Sequence, residues 1–397
     1  MTDSDLIIRV AAKGDGVTAD GRHAALAAPG DWLRADGSVE PGPNRQVPPC
    51  RHFPTCGGCQ LQHIDDAAYA DFVRDRVIGG LAAQGLESDV RAAIVSSPRT
   101  RRRATFHAEK AGKLVIGFSE GGSHALVDLS ECQILDPRLF ALLAPLRKLL
   151  PPLMRPKRRV EIVMTLADQG VDLLLRGVEA DGLAAAEALS AFGQMQGLAR
   201  LSIDSGLGVE TRYEPIEATV TLGGLPVPLP AGAFLQATPE GETALVAAVH
   251  EAVGGAATVA DLFAGLGTFT LALPGKVYAA EGARDAFFAL KAAVGRAQRP
   301  VFAEHRDLFR RPLMPAELDR FAAIVLDPPR AGAREQAEQL ALSKAPVVAY
   351  VSCNPSSFAR DAKTICEGGY RLDWVQPVGQ FRWSTHVELV GRFSRQG

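Results

Sequence analysis

The sequence predicts an α/β protein. Its C-terminal part reads as a doubly wound, mainly parallel sheet, set behind a β-rich central region and a short N-terminal β module. Three observations predict this. After about residue 236 strand-like and helical stretches alternate: helix 239–253, strand 257–263, strand 277–281, helix 283–297, strand 322–327, helix near 334–343, strand 346–352 and helix 355–367. Alternation of this kind builds parallel strands joined by crossover helices, with ligands at the carboxyl ends of the strands. Residues 99–235, by contrast, read mostly as strands, with candidates at 104–108, 114–118, 160–164 and 171–175, interrupted by helical stretches at about 137–149 and 181–193. Residues 1–49 are short, alternating and Gly-rich, with a strand at 6–10, and the Pro-rich run 41–49 reads as a linker. The segment 50–63 is a cysteine loop, and a helical pattern follows it over about 65–84.

Size and charge bound the function. At about 150 residues per domain, 397 residues make two to three domains, here divided as 1–49, 50–235 and 236–397. Lys plus Arg number 43 and Asp plus Glu 45, a net charge of −2, which excludes a uniformly basic coating protein but not a local basic face. No apolar run approaches the roughly 18 residues of a membrane span. The N-terminus, Met1-Thr2-Asp3-Ser4-Asp5, is polar and unlike a secretory signal. A cytoplasmic, monomeric protein with no membrane partner is expected.

The first strand of the C-terminal part runs into Asp261-Leu262-Phe263-Ala264-Gly265-Leu266-Gly267-Thr268. Gly265 and Gly267 let the backbone approach a ligand closely, and the following helix start offers free N–H groups. A third glycine of the dinucleotide fingerprint is missing. Glu281 ends the next strand, where an acid can accept from both hydroxyls of a ribose. A glycine turn alone is as often a plain tight turn. With this acid, and with Asp261 ahead of the glycines, it favours S-adenosylmethionine over NAD.

Two later strand ends carry unusual chemistry. Leu326-Asp327-Pro328-Pro329-Arg330 closes one strand as a rigid ledge that presents Asp327. Val351-Ser352-Cys353-Asn354-Pro355 closes the next, placing Cys353 at a helix N-terminus, where free N–H groups favour a thiolate. His386-Val387-Glu388 is expected on the last strand.

With these residues the chain resembles the RNA 5-methyluridine (uracil-C5) methyltransferase family. The resemblance rests on Phe234-Leu235-Gln236, Asp261 to Gly267, Leu326 to Gly332, Ser352-Cys353-Asn354-Pro355 with Ala359-Arg360-Asp361, and His386-Val387-Glu388. It implies a class I methyltransferase (Rossmann-like) C-terminal domain. It further implies Cys353 as nucleophile, Glu388 as general base, Gln236 and Asp327 around uracil and cofactor, and Phe263, Thr268, Glu281 and Asp307 around S-adenosylmethionine. Thr268 and Thr238 stand where the family usually has Asn. An exocyclic-amine methyltransferase would need no Cys353 and would carry an aromatic where Arg330 stands. A non-catalytic RNA-binding protein on the same scaffold would not need Cys353 and Glu388 intact.

Cys50, Cys56 and Cys59, followed by Cys132, read as a metal site because three cysteines lie within ten residues of each other. Spacing alone leaves open an iron–sulfur cluster, four-cysteine zinc, or three-cysteine zinc with His52 or His63. The resemblance, through the context of Cys56 to His63 and Glu131 to Leu135, implies a [4Fe–4S] cluster and the branch acting on 23S rRNA, with tRNA as the alternative substrate. A zinc-deaminase pattern from His386, Glu388, Cys56 and Cys59 fails because its order is reversed. Arg99, Arg101, Arg102 and Arg103 form one basic knot, and Arg155, Lys157, Arg158 and Arg159 another. Both are candidate phosphate contacts. The first 49 residues resemble a reduced TRAM-like OB barrel, through 13–17 and 28–31.

Overall fold

The structure is a computed structural model that describes residues 5–155 and 158–395. Its largest sheet has nine strands. Val301–His305, Lys276–Glu281, Thr258–Leu262, Ala323–Leu326 and Val347–Ser352 run parallel in that spatial order. Glu388–Arg395 lies antiparallel to Val347–Ser352, and Tyr370–Gly379 pairs with it on the outer side. The chain thus returns to fill the sheet edge with a long hairpin. The parallel strands are near-continuous apolar runs because helices cover both faces. Val325, Ala349 and Val390 pack on one side with Leu245 and Val249 of the helix Pro239–Val253. Ile324, Tyr350 and Phe393 pack on the other with Phe358, Ala362 and Ile365 of the helix Pro355–Glu367.

Both of those helices coincide with their sequence expectation because their starts are chemically marked. Thr238 caps the first by accepting from the Gly241 N–H, and Asn354 caps the second by accepting from Ser356. Each continues with a proline at the position where no N–H is needed. Residues 137–149, expected as one helix, form two: Pro137–Ala141 and Leu143–Leu149. Pro145 has no N–H for the Ala141 carbonyl, so the ladder breaks there.

The helix Asp66–Ala82 and the short strands Asp89–Val90 and Ile94–Val95 belong to the large sheet. The strands pair with Tyr370–Gly379, and the helix packs against the same strand and the helix Pro355–Glu367. The segment that follows the cysteine loop therefore covers the catalytic sheet edge.

A second sheet of seven strands fills the middle of the chain, in the order Leu126–Asp128, Lys113–Ser119, Arg103–Ala111, Val160–Ala167, Gly170–Arg176, Arg200–Asp204 and Val209–Tyr213. Leu139, Leu143 and Leu146 cover one face of it. Each fully buried leucine there contributes on the order of 1.5–3 kcal/mol. The N-terminal module has a three-stranded sheet, Ile7–Val10, Gly16–Thr18 and His23–Ala24, and a separate hairpin, Trp32–Leu33 with Val39–Glu40. Among the described residues no helix is long and apolar enough to cross a membrane.

Candidate active site

The glycine turn begins where the central parallel strand ends. Phe263, Gly265 and Gly267 all take positive φ, and a Cβ on Gly267 would lie 2.5 Å from Leu290. The Glu281 carboxylate accepts from the Gly265 N–H at 2.7 Å and from the Ala283 N–H at 2.5 Å. It ties two strand ends together and keeps further lone pairs for a ligand. The Phe263 and Phe309 rings stand 5.3 Å apart, and Asp307 accepts from the Phe309 N–H. Asp261 is fully buried; one oxygen accepts from the Thr270 hydroxyl and the other has no partner among the described residues. Burial pushes its carboxyl up to about 7. Thr268, expected among these groups, instead lines a separate groove with Glu242, Val246 and Ala272. The turn winds tightly, with Leu271 N–H bonded to Gly267 O, and carries the side chain to the far side.

Asp327 follows the next strand, its backbone N–H bonded to Leu262 O. Burial, then the nearby Glu388, Asp261 and Glu281 charges, hold its carboxyl well above the ordinary value. The loop after it is pinned from the helix Pro355–Glu367. Asn354 and Ser357 donate to Arg330 O, and Arg360 donates to Ala331 O.

Cys353 stands half-buried between the strand Val347–Ser352 and that helix. The sequence expectation of a favoured thiolate is not met. Burial, and next the Glu388 and Asp327 carboxylates, push the thiol up to about 11. Burial, with the nearby acids, outweighs the helix end here. Glu388 is buried and opens the last strand, whereas His386, expected on that strand with it, is exposed in the preceding loop. Burial pushes the Glu388 carboxyl up to about 7, against the opposing influence of the Gln380 amide and the charge of Arg103.

Gln380 had no signal in the sequence, since a lone Gln before a turn is unremarkable. It is 1% exposed and bonds to both Gln236 and the Ala237 backbone. Arg103 comes from the central sheet; its guanidinium lies 4.3 Å from the Phe234 ring centroid.

The four cysteines of the loop site converge. Cys50, Cys56, Cys59 and Cys132 line one small cavity of about 30 Å³ with Phe118 and Arg101 among its walls. Burial raises all four thiols, Cys59 to about 12. Among the described residues no three His, Cys, Asp or Glu side chains close to a metal-ligating group. The donor set nevertheless suits a soft metal centre, with four sulfurs around one largely apolar pocket. Neither alternative histidine lines it. His52 Nε2 faces Ser130 at 3.0 Å, and His63 is buried against the Phe53 ring.

The basic residues divide. Arg102 is engaged within the protein: it donates to Gln236 O and forms a half-buried ion pair with Glu242, 2.5 Å apart. Arg99 donates to Gln133, Arg101 lies 5.1 Å from the Phe381 ring centroid, and Arg158 is exposed. Arg155 and Arg159 pair with Glu179 and Glu109, and Lys157 lies outside the described residues. Lys13, Arg101, Arg103, Arg176, Phe381 and His386 line a cleft of about 810 Å³ between the N-terminal module, the central sheet and the Glu388 loop.

Strand order, glycine turn and acidic strand end together define a class I methyltransferase. Residues 300–395 match the family model described as tRNA (uracil-5-)-methyltransferase. An RNA methyltransferase of Zymomonas mobilis, itself uncharacterized, is 53% identical over 98% of this chain and 99% of its own. The 23S rRNA (uracil(1939)-C(5))-methyltransferase of Halomonas elongata is 32% identical over 87% of this chain and 76% of its own. The chain belongs to the RNA (uracil-5-)-methyltransferase family. The crystal structure of the Pyrococcus abyssi tRNA (uracil-54, C5)-methyltransferase, solved with S-adenosyl-L-homocysteine, shares the fold, with a TM-score of 0.75 at 21% identity over 98% of both chains.

Proposed function

We propose that the chain methylates C5 of a uridine in RNA, with Cys353 as nucleophile and Glu388 as the base that takes the C5 proton. One observation carries this reading: Asp327 and Cys353 follow two adjacent parallel strands and Glu388 opens the next, with Ser352 paired to Leu389, so that all three stand at one end of the large sheet. Uracil C5 is a poor nucleophile. When Cys353 Sγ bonds to C6, the C5–C6 π electrons move toward the C4 carbonyl, and the resulting enolate makes C5 nucleophilic. The resting group is a thiol, so attack is coupled to transfer of its proton to an ionised carboxylate; Glu388 and Asp327 are the acids that act on it, and Asp327 is the one not needed for the C5 proton. Once C5 carries the methyl group, Glu388 removes the C5 proton, the C5–C6 double bond re-forms and the Sγ–C6 bond breaks.

S-adenosylmethionine supplies the methyl group when bound, and Phe263, Gly265, Gly267, Glu281 and Asp307 would hold it. Asp261 sits beneath the turn that presents them. The four cysteines that line one cavity are read as ligands of a [4Fe–4S] cluster, with zinc as the alternative, in a structural or RNA-organising role, because the methyl transfer needs no electron. The basic cleft supports RNA passing between the central sheet and the Glu388 loop. Similarity to the 23S rRNA enzyme along most of the chain favours ribosomal RNA, with tRNA as the alternative.

The test uses purified protein, labelled S-adenosylmethionine, and unmodified 23S rRNA and tRNA transcripts. The reading expects 5-methyluridine in one RNA and none with Cys353→Ala. A Cys353→Ala protein with normal turnover sinks the mechanism. RNA binding without methylation by the wild type would identify a non-catalytic protein.

A further inference from the structure

We infer that Gln380 is a positioning residue, which fixes the Gln236 amide with its oxygen end occupied and its nitrogen end left to donate to the reacting base. The inference rests on the reading of Gln236 and Glu388 given above. Its start is a group with no ambiguity. A backbone N–H can only donate, and that of Ala237 donates to Gln380 Oε1 at 2.8 Å. The oxygen end of the Gln380 amide is thereby set by the chain itself, whichever way an isolated amide could be turned. Its nitrogen end must then donate, and it donates to Gln236 Oε1 at 2.8 Å. The same amide also favours the charged form of the nearby Glu388 carboxyl.

The consequence falls on Gln236. Its oxygen is committed as an acceptor, and among the described residues its Nε2 makes no hydrogen bond. A uracil edge offers carbonyl oxygens, which suit that donor. A cytosine edge offers an amine at C4, which leaves two donors facing each other, and a site built on a hydrogen bond rejects its mismatch strongly. The amide cannot swing. Gln236 and Gln380 are 3% and 1% exposed, and the helix start wraps Gln380 so closely that a Cβ on Gly241 would lie 2.6 Å from Gln380 Cβ.

The experiment compares full-length wild type, Gln380→Met and Gln380→Glu on the transcript that the wild type methylates, across pH. Met keeps the volume and removes every hydrogen bond. We expect kcat to fall at least about tenfold while the KM for RNA stays within about threefold. The acid limb of kcat should move to higher pH, because Glu388 loses an amide that favours its charge while Arg103, Asp327 and Cys353 still face it. In Gln380→Glu the introduced carboxyl accepts from Ala237 in either state but donates only while protonated. Its kcat relative to wild type should therefore decline as pH rises, a signature that packing alone does not produce. Should Gln380→Met fail to fold, this profile decides by itself. A Met variant with unchanged kcat and pH profile, or a Glu variant whose profile parallels the wild type, overturns the inference. If wild type methylates uridine and the variants are indifferent, only the role of Gln380 fails. If wild type makes no 5-methyluridine, the underlying reading fails and this inference with it.

Discussion

Tyr350 donates its hydroxyl to the Asp361 carboxylate at 2.6 Å, beneath the loop that carries Asp327 and Arg330. The same carboxylate accepts from the Ala333 N–H at 2.8 Å, while Arg360 bonds to its other oxygen. Gly332 takes positive φ directly above; a Cβ there would lie 2.5 Å from Asp361. One buried acid thus holds down the whole ledge. Asp361→Ala leaves a buried hydroxyl, an N–H and a guanidinium without their acceptor and should cost roughly 3–5 kcal/mol. Tyr350→Phe removes one bond and should cost about 1–2 kcal/mol. Urea unfolding measures both. If Asp361→Ala costs no more than Tyr350→Phe, the clamp is not what holds the loop.

Arg102 and Glu242 make a second prediction, because their pairing removes Arg102 from the RNA-facing set. Arg102→Glu places two acids together in a half-buried site and should lower stability by about 3–5 kcal/mol. The folded fraction should keep its salt dependence of RNA binding. Arg158→Glu, at an exposed position, should leave stability within about 0.5 kcal/mol and reduce the salt slope by about one to two. Binding titrations at several salt concentrations separate the two. A reduced slope for Arg102→Glu would restore it as a phosphate contact.

These contrasts show where the sequence was readable. The alternation after residue 236 and the strand ends at Asp261, Asp327 and Cys353 were legible, because apolar periodicity, glycines and prolines are local signals. The outer hairpin strand Tyr370–Gly379, broken up by Arg371, Asp373, Gln376 and Pro377, and the short edge strand Val301–His305 escaped, since neither carries a clear apolar period along its length. Arg102 and Arg158 look alike in a basic run, and only a partner 140 residues away, Glu242, tells them apart. The Cys353 thiol differs from its expectation for the same reason. Its helix end is local, whereas the burial that raises it most, and the Glu388 and Asp327 acids that add to it, arise from other strands.

Glu388 links the site to stability. Folding raises its carboxyl from 4.5 to about 7, so the folded protein keeps a proton that the unfolded chain releases in that interval. The stability of this proton-bound form is fully present below pH 4.5 and is lost as pH rises through 7. Burying the charge at pH 8 then costs on the order of 3 kcal/mol, and Glu388→Gln, which never ionises, escapes that cost. The variant should be more stable than wild type at pH 8 and nearly equal at pH 4.5. In catalysis the ionised base is needed, so wild-type turnover should rise through about pH 7. Glu388→Gln should accumulate a covalent protein–RNA adduct on denaturing gels. Equal stabilities at pH 8, or rapid product release by the variant, count against Glu388 as the buried base.

The cysteine loop reaches the same base mechanically. Trp383 O accepts from both the Gln60 and Leu61 N–H groups, at 2.8 and 2.9 Å, directly after Cys59. Tyr69 donates to Phe381 O and Ser384 O, and Arg382 pairs with Asp66. The loop 380–387 therefore hangs on the segment that a metal centre would cross-link, from Cys50, Cys56 and Cys59 to Cys132. Anaerobically purified protein should contain iron and sulfide in equal amounts; stoichiometric zinc without iron would replace the cluster by a zinc site. Cys132→Ser should lose the metal and speed amide hydrogen exchange in 56–62 and 380–387 together, by about tenfold or more for each 1.4 kcal/mol of local stability lost. Metal loss that loosens 56–62 while leaving 380–387 unchanged would show that the loop before Glu388 is held by its own sheet and not by the cysteines.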